Sequence, residues 1–171
     1  TEAIQTRAVR QDDHYVVNGA KTFISNGQLA DLVCVVVKTD PSAGSRGISL
    51  LMVETAKVQG FRRGRVLDKI GMHAQDTSEL FFDDMRVPCA NLLGPEEGQG
   101  FRQLMKELPR ERVVTAMSAQ GSMDRAIAET LAYARQRKLF GDTLFDFQNT
   151  RFKLAECQTK ATVSRAFIDR C

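Results

Sequence analysis

Along the first half of the chain, apolar residues alternate with polar ones or gather in runs too short for helices. Residues 14–17 and 21–24 flank Asn18 and Gly19, a pair that takes positive φ readily and so predicts a two-residue hairpin turn. Leu32–Lys38, Ile48–Glu54, Phe61–Val66 and residues 79–82 predict further strands, separated by punctuation such as Asp40-Pro41-Ser42-Ala43-Gly44. Short strands repeated with turn signals between them predict an antiparallel sandwich or barrel. Between residues 86 and 100 the texture changes, because Val87-Pro88 and Gly94-Pro95 are predicted to interrupt regular structure. Beyond Gly98-Gln99-Gly100 the period becomes helical. Phe101, Leu104, Met105 and Leu108 share one face, and Ala116, Ala119, Met123, Ala126, Ile127, Leu131 and Ala134 continue at spacings of three and four. Pro109 lacks an amide donor and crowds the preceding turn, which predicts a kink or a fresh start. Phe140-Gly141-Asp142 is predicted to close this helix. A second then starts near Phe145, with Phe152, Ala155 and Thr159 on one side and Ala166 further on.

The resulting fold class is α+β. An antiparallel β-sandwich or barrel domain occupies residues 1–92, and long antiparallel helices of a partial four-helix bundle occupy residues 93–171. Small alanines on several sides of the first long helix invite close neighbours, and one partner helix does not cover them all. Thr1 at the start, and helical periodicity that runs to Cys171, give both ends the look of cuts in a longer chain.

Composition removes some functions without choosing one. With 43% hydrophobic and 26% charged residues the chain is an ordinary globular sequence. Its 24 basic and 21 acidic residues leave a charge of +3 with no dense basic run, which argues against nucleic acid or an anionic membrane as partner. The longest apolar stretches are strand-sized and predict no membrane insertion. Cys34, Cys89, Cys157 and Cys171 are widely and irregularly spaced, and with His14 and His73 they form no metal-binding framework. A reducing compartment follows as the simplest reading. No G-x-G-x-x-G follows a strand between Gly94 and Gly100, so no dinucleotide fold of the Rossmann kind is expected.

Four segments carry a more specific signal: Tyr15-Val16-Val17-Asn18-Gly19-Ala20-Lys21-Thr22-Phe23-Ile24-Ser25-Asn26-Gly27; Lys69-Ile70-Gly71-Met72-His73-Ala74-Gln75-Asp76-Thr77-Ser78-Glu79-Leu80-Phe81-Phe82; Glu107-Leu108-Pro109-Arg110-Glu111-Arg112; and Tyr133-Ala134-Arg135-Gln136-Arg137-Lys138-Leu139-Phe140-Gly141 with Phe147-Gln148. In order and spacing they resemble the acyl-CoA dehydrogenase family, and the wording of the second and third segments is nearest its long-chain branch. The resemblance implies α,β-dehydrogenation of a fatty acyl-CoA to the trans-2-enoyl-CoA, with FAD as cofactor. It also implies an electron-transfer flavoprotein as reoxidant and a homotetramer. In full-length members a helical domain precedes the β-domain and more bundle helices follow. The family's flavin- and pantetheine-contacting segment ahead of Thr6 is not recognisable at Thr1-Glu2-Ala3-Ile4. With no targeting segment in the chain, a bacterial source implies the cytoplasm and a eukaryotic one the mitochondrial matrix.

Removing a proton from one carbon and a hydride from the next requires a base and an electron sink. By resemblance the base is Glu111, beside Arg112 as a substrate-positioning cation. From the residues alone, Glu111 is one more solvated helix charge between two arginines and Arg112 a surface ion-pair partner. Phe23, Ile24 and Ser25 match the family's aromatic-Ile-Thr motif, in which the ring packs on the flavin and the hydroxyl reaches its N5. Phe in place of a frequent Trp keeps the stacking face and drops an N–H donor. The plainer reading is a core Phe and a turn Ser. Arg137, Phe140 and Gln148 match positions that reach the adenosine diphosphate part of a neighbouring subunit's FAD. Arg137 is also a cation well placed at a helix end. Gln75, Asp76 and Thr77 are assigned only to shaping the site, and His73 to an exposed or satisfied histidine. Two other functions stay open: a catalytically silent assembly segment, and an acyl-CoA oxidase in which oxygen reoxidises the flavin.

Overall fold

The computed structural model describes residues 4–171. Thr1, Glu2 and Ala3, where the comparison with the flavin-contacting segment began, lie outside the described residues. The chain divides into two compact units, Thr1–Lys106 and Glu107–Cys171.

In the first unit the strands are β1 (Arg7–Gln11), β2 (His14–Ser25), β3 (Leu32–Lys38), β4 (Ile48–Glu54), β5 (Phe61–Val66) and β6 (Thr77–Pro88). They form one sheet in the order β4-β3-β1-β2-β6-β5. Its ladders are antiparallel except where Arg7 of β1 meets Lys38 of β3 in parallel. Alternation places Tyr15 and Val17 of β2, Val35 and Val37 of β3, and Leu80, Phe82, Met85 and Val87 of β6 in one buried cluster with Leu51 and Val53 of β4. The expected antiparallel β-domain is built from a single six-stranded sheet whose strands share one buried core. Each such aliphatic side chain contributes about 1.5–3 kcal/mol on burial.

Asn18 and Gly19 do not turn the chain. β2 runs straight through them, and the hairpin is instead the β1–β2 connection at Asp12 and Asp13, with Gln11 opposite His14. The local signal reports positive φ, which Gly19 has at 142°, but positive φ also serves a bulge. The ladder to β6 slips between Val17 and Gly19, and Asn18 binds both the amide and the carboxylate of Asp84 across it, each at 2.9 Å. A side chain at Gly19 would come within 2.8 Å of Thr6 Cα, so the backbone approach itself requires glycine. β6 likewise continues through Val87 to Pro88, which as the last strand residue loses only a terminal donor.

The second unit contains α1 (Gly100–Gln136), most of which lies there, and α2 (Gln148–Ile168). α1 continues past Pro109, which neither ends nor restarts it. Pro109 lies two turns beyond Arg102, and the helix tolerates one carbonyl without its usual donor. α1 ends before Phe140, at a small ladder of β7 (Lys138–Leu139) and β8 (Asp142–Thr143), and a 3₁₀ turn over Leu144–Asp146 delays α2 to Gln148. Thr143 and Asp146 cap that turn, with the Asp146 carboxylate accepting from the Thr143 amide at 2.9 Å and hydroxyl at 2.6 Å.

Between the helices, Gln120 is fully buried and donates to the Ala161 carbonyl at 3.1 Å and to Asp124 at 2.9 Å, while Arg165 meets Asp124 at 2.7 Å. These contacts tie α2 to α1. On the side of α2 picked out by Phe152, Ala155 and Thr159, Phe152 stays exposed while Ala155 borders the groove toward α1. The buried position is Ala161, whose small side chain permits the close approach that Phe152 would block. Val114, Met117, Tyr133, Phe152, Val163 and Phe167 stay exposed, so each helix keeps an apolar side that the other does not cover. No helix among the described residues is long and apolar enough to cross a membrane.

Hydrogen bonding from Arg165, and then from Gln120, holds the Asp124 carboxyl below its usual range. A depressed carboxylate pKa adds stability above the unfolded value, near 3.8, and that stability is lost as pH falls through the folded value. Thermal melts between about pH 6 and 3 are thus expected to fall more steeply for the natural protein than for Asp124→Asn. Parallel curves would show that the pair does not stabilise the helix hairpin.

Candidate functional site

In the first unit, β2 takes an unusual backbone conformation at Phe23. Between the pairs Lys21–Leu80 and Ile24–Ser78, β2 supplies Thr22 and Phe23 against Glu79 alone, a two-against-one bulge. Phe23 has φ of 60° and leaves its ring 76% exposed. A left-handed conformation costs an L-residue about 1–2 kcal/mol, and exposing a phenyl ring forgoes its burial, so this geometry serves something other than stability. Ile24 turns back toward the core as a half-buried residue packed against it, and Ser25 is exposed opposite Thr77. Phe23 is therefore not a core phenylalanine, because the bulge reverses the side on which it projects.

The turn that follows is tied down from two sides. The Asp76 carbonyl accepts from the Asn26 amide at 3.0 Å, and its carboxylate accepts from the Gln28 amide at 3.0 Å and the Ser78 hydroxyl at 2.8 Å. Gln28 and Ser78 hold the Asp76 carboxyl below the usual carboxylate range. Arg63 donates to the carbonyls of Gly27 at 3.3 Å and Ala30 at 3.0 Å and to the Thr55 hydroxyl at 3.2 Å. Arg63 carried no local signal in the sequence, since its partners are more than twenty residues away except Thr55. His73 lies in an exposed loop, its Nε2 at 2.7 Å from the Lys69 carbonyl. Among the described residues no cluster of three His, Cys, Asp or Glu side chains is arranged to hold a metal.

In the second unit, Glu111 and Arg112 are both exposed on α1. Glu111 shares an open face with Glu107, Arg110, Val114 and Thr115. Arg110 is drawn to Glu107 at 3.9 Å, and the Glu111 carboxylate has no hydrogen-bond or ion-pair partner within the unit.

Arg137, Phe140 and Gln148 all fall at the α1–α2 connection along the chain. Arg137 follows the last residue of α1, Phe140 begins the β7–β8 turn, and Gln148 is the first residue of α2. Phe140 and Gly141 have φ of 56° and 99°, the two positive values of a type I′ turn. Phe140 is 92% exposed. Asn is the favoured residue at that position, so Phe140→Asn is expected to stabilise the protein by about 0.5–1 kcal/mol. Urea unfolding measures this, and a loss of stability would mean that the ring makes structural contacts. Beside the turn, Arg135 stacks over Phe145 at 5.3 Å along an interhelical groove of about 280 Å³ that includes Ile127, Leu131 and Leu154.

Residues 1–85 match the family model described as acyl-CoA dehydrogenase, middle domain, and residues 98–171 that of acyl-CoA dehydrogenase, C-terminal domain. The chain is 47% identical to the mitochondrial long-chain specific acyl-CoA dehydrogenase of Rattus norvegicus, an alignment that covers 99% of this chain and 40% of that protein. It is 40% identical to the short-chain specific acyl-CoA dehydrogenase of Megasphaera elsdenii, over 96% of this chain and 43% of the relative. The crystal structure of an acyl-CoA dehydrogenase from Geobacillus kaustophilus superposes with a TM-score of 0.95 at 50% identity, covering 99% of this chain and 44% of that one. The chain thus spans less than half the length of these relatives. Matched in sequence by both family models and in fold by a solved member, it belongs to the acyl-CoA dehydrogenase family.

Proposed function

We propose that the chain is the flavin-facing and base-bearing part of an FAD-dependent acyl-CoA dehydrogenase acting on a long-chain fatty acyl-CoA. The observation that carries this reading is Phe23, held in a strained conformation with its ring in the open and the Ser25 hydroxyl two residues on. A stacking face beside a hydroxyl donor fits an isoalloxazine. FAD, when bound, supplies the acceptor for the β-hydride at its N5. Phe23 packs on the ring system, Ile24 backs it from the core side, and Ser25 donates to N5. Glu111 removes the α-proton; its carboxylate is uncommitted, and an acyl chain closing over it strips away water, which favours proton uptake. Arg112 orients the substrate. The greater identity to the rat long-chain enzyme than to the short-chain one supports a long acyl chain.

Arg137, Phe140 and Gln148 reach the adenosine diphosphate part of FAD in a neighbouring subunit of a homotetramer. The middle domain, on this reading, ends at residue 92 and the C-terminal domain begins at 93. An electron-transfer flavoprotein takes the electrons onward, in the mitochondrial matrix of a eukaryote or the cytoplasm of a bacterium. Anaerobic mixing of a full-length, FAD-loaded protein containing this chain with saturated acyl-CoAs is expected to bleach the visible flavin band. No bleaching with any chain length would overturn the assignment, and peroxide release in air at the rate of turnover would turn it into an oxidase.

A guanidinium on a pyrophosphate makes charge-assisted hydrogen bonds of about 1.5–3 kcal/mol. Arg137→Ala in the full-length protein is therefore expected to weaken FAD retention by about 10- to 100-fold. Unchanged FAD content on dilution would remove Arg137 from the cofactor site.

A further inference from the structure

We propose that Asp76 is a positioning residue that fixes the Ser25 hydroxyl for the flavin, an inference that rests on the flavin reading of Ser25 given above. Ser25 sits in a part of the chain with little ladder of its own. It lies two residues beyond the bulge at Phe23 and one before Asn26, which itself has φ of 60°. A strand end held between two left-handed residues has only the Ile24–Ser78 and Ser25–Thr77 pairs of the ladder to define it.

Asp76 supplies the missing definition. Its backbone carbonyl holds the residue after Ser25, and its carboxylate holds the amide of Gln28 and the hydroxyl of fully buried Ser78, which lies opposite Ile24. One residue thereby links β6 to the chain on the far side of Ser25. The far end is secured independently, since Gln28 donates its side-chain amide to the Gly64 carbonyl at 3.0 Å and Arg63 grips Gly27 and Ala30. All these bonds leave the Ser25 hydroxyl itself unengaged among the described residues. A hydroxyl that is held in place yet unspent is preorganised for a ligand atom.

If Asp76 acts by placing an acceptor atom, geometry matters more than charge. Asp76→Asn keeps an oxygen where the carboxylate Oδ2 stood. Asp76→Glu keeps the charge and moves the acceptor by one methylene. In the flavin-free full-length protein, exchange of the Gln28 amide is expected to quicken about tenfold for Glu and to change less than threefold for Asn, as for one lost hydrogen bond to a charged group. In the FAD-loaded protein the same order is expected for single-turnover flavin reduction by an acyl-CoA, with a shifted visible flavin spectrum for Glu only. In a Ser25→Ala background Asp76→Glu is expected to cause no further slowing, because the two act as one unit. An equal slowing in that background, unchanged Gln28 exchange, or damage from Asn but not Glu would each overturn the role of Asp76. A Ser25→Ala protein with natural spectrum and rate would instead remove the flavin reading of Ser25, and this inference with it, even while Gln28 exchange still responded.

Discussion

Glu111→Gln, in a full-length protein containing this chain, is expected to retain FAD while flavin reduction by an acyl-CoA slows by about 10²- to 10⁴-fold, the usual contribution of a positioned general base. The amide has the shape of the carboxylate and cannot accept the α-proton. The structure makes the substitution clean. Glu111 is exposed on α1, its carboxylate holds no partner within its unit, and its backbone carbonyl, which accepts the Thr115 hydroxyl at 3.0 Å, is untouched by the change. Neither folding nor helix stability should move, since a surface substitution away from special features stays within about 0.5 kcal/mol. Stopped-flow bleaching of the flavin under anaerobic conditions reads the effect. A near-natural bleaching rate would place the base outside this chain. Glu107→Gln is the matched control, one turn away on the same face and engaged with Arg110.

Gly60→Ala is expected to destabilise the protein by about 2–5 kcal/mol. Gly60 precedes β5 with φ of 81°, and a Cβ there would stand 2.2 Å from the Asp83 carbonyl oxygen and 2.9 Å from Met85 Cα and N. None of these atoms can easily give way. The Asp83 amide donates to the Gly60 carbonyl at 2.9 Å, and Met85 is completely buried in the core. The conformation alone costs about 1–2 kcal/mol and forcing apart packed backbone about 1–3 more. Gly44→Ala separates the two, because Gly44 has φ of 58° with nothing near its would-be Cβ. Urea unfolding should therefore rank Gly60→Ala clearly below Gly44→Ala. Equal costs would mean that β5 shifts to accommodate the methyl. Because Arg63 and Gly64 of β5 hold the turn after Ser25, the same substitution should also loosen FAD retention.

Part of this architecture was legible in local pattern. Leu32–Lys38, Ile48–Glu54 and Phe61–Val66 coincide with β3, β4 and β5 because alternation and flanking turn residues are properties of a few adjacent positions. The long helical period after Gly100 was legible for the same reason, and the family was readable from four motifs in order. Where a feature depended on which distant segment lies alongside, the sequence could not decide it. Asn18 and Gly19 signal positive φ, yet whether the chain reverses or bulges there depends on Thr6 and Asp84. Pro88 breaks no strand because the strand ends on it. Burial of Gln120 and Ala161 in preference to Phe152 follows from how closely α1 and α2 approach, a quantity absent from the periodicity of either helix. For the candidate site the division is the same. The residue types at Phe23, Ser25, Glu111 and Arg137 came from the sequence. The outward projection of Phe23, the anchoring of its turn by Asp76 and Arg63, and the exposure of Phe140 on a type I′ turn came only from tertiary structure, because a single extra residue in a ladder reverses the face on which a side chain emerges.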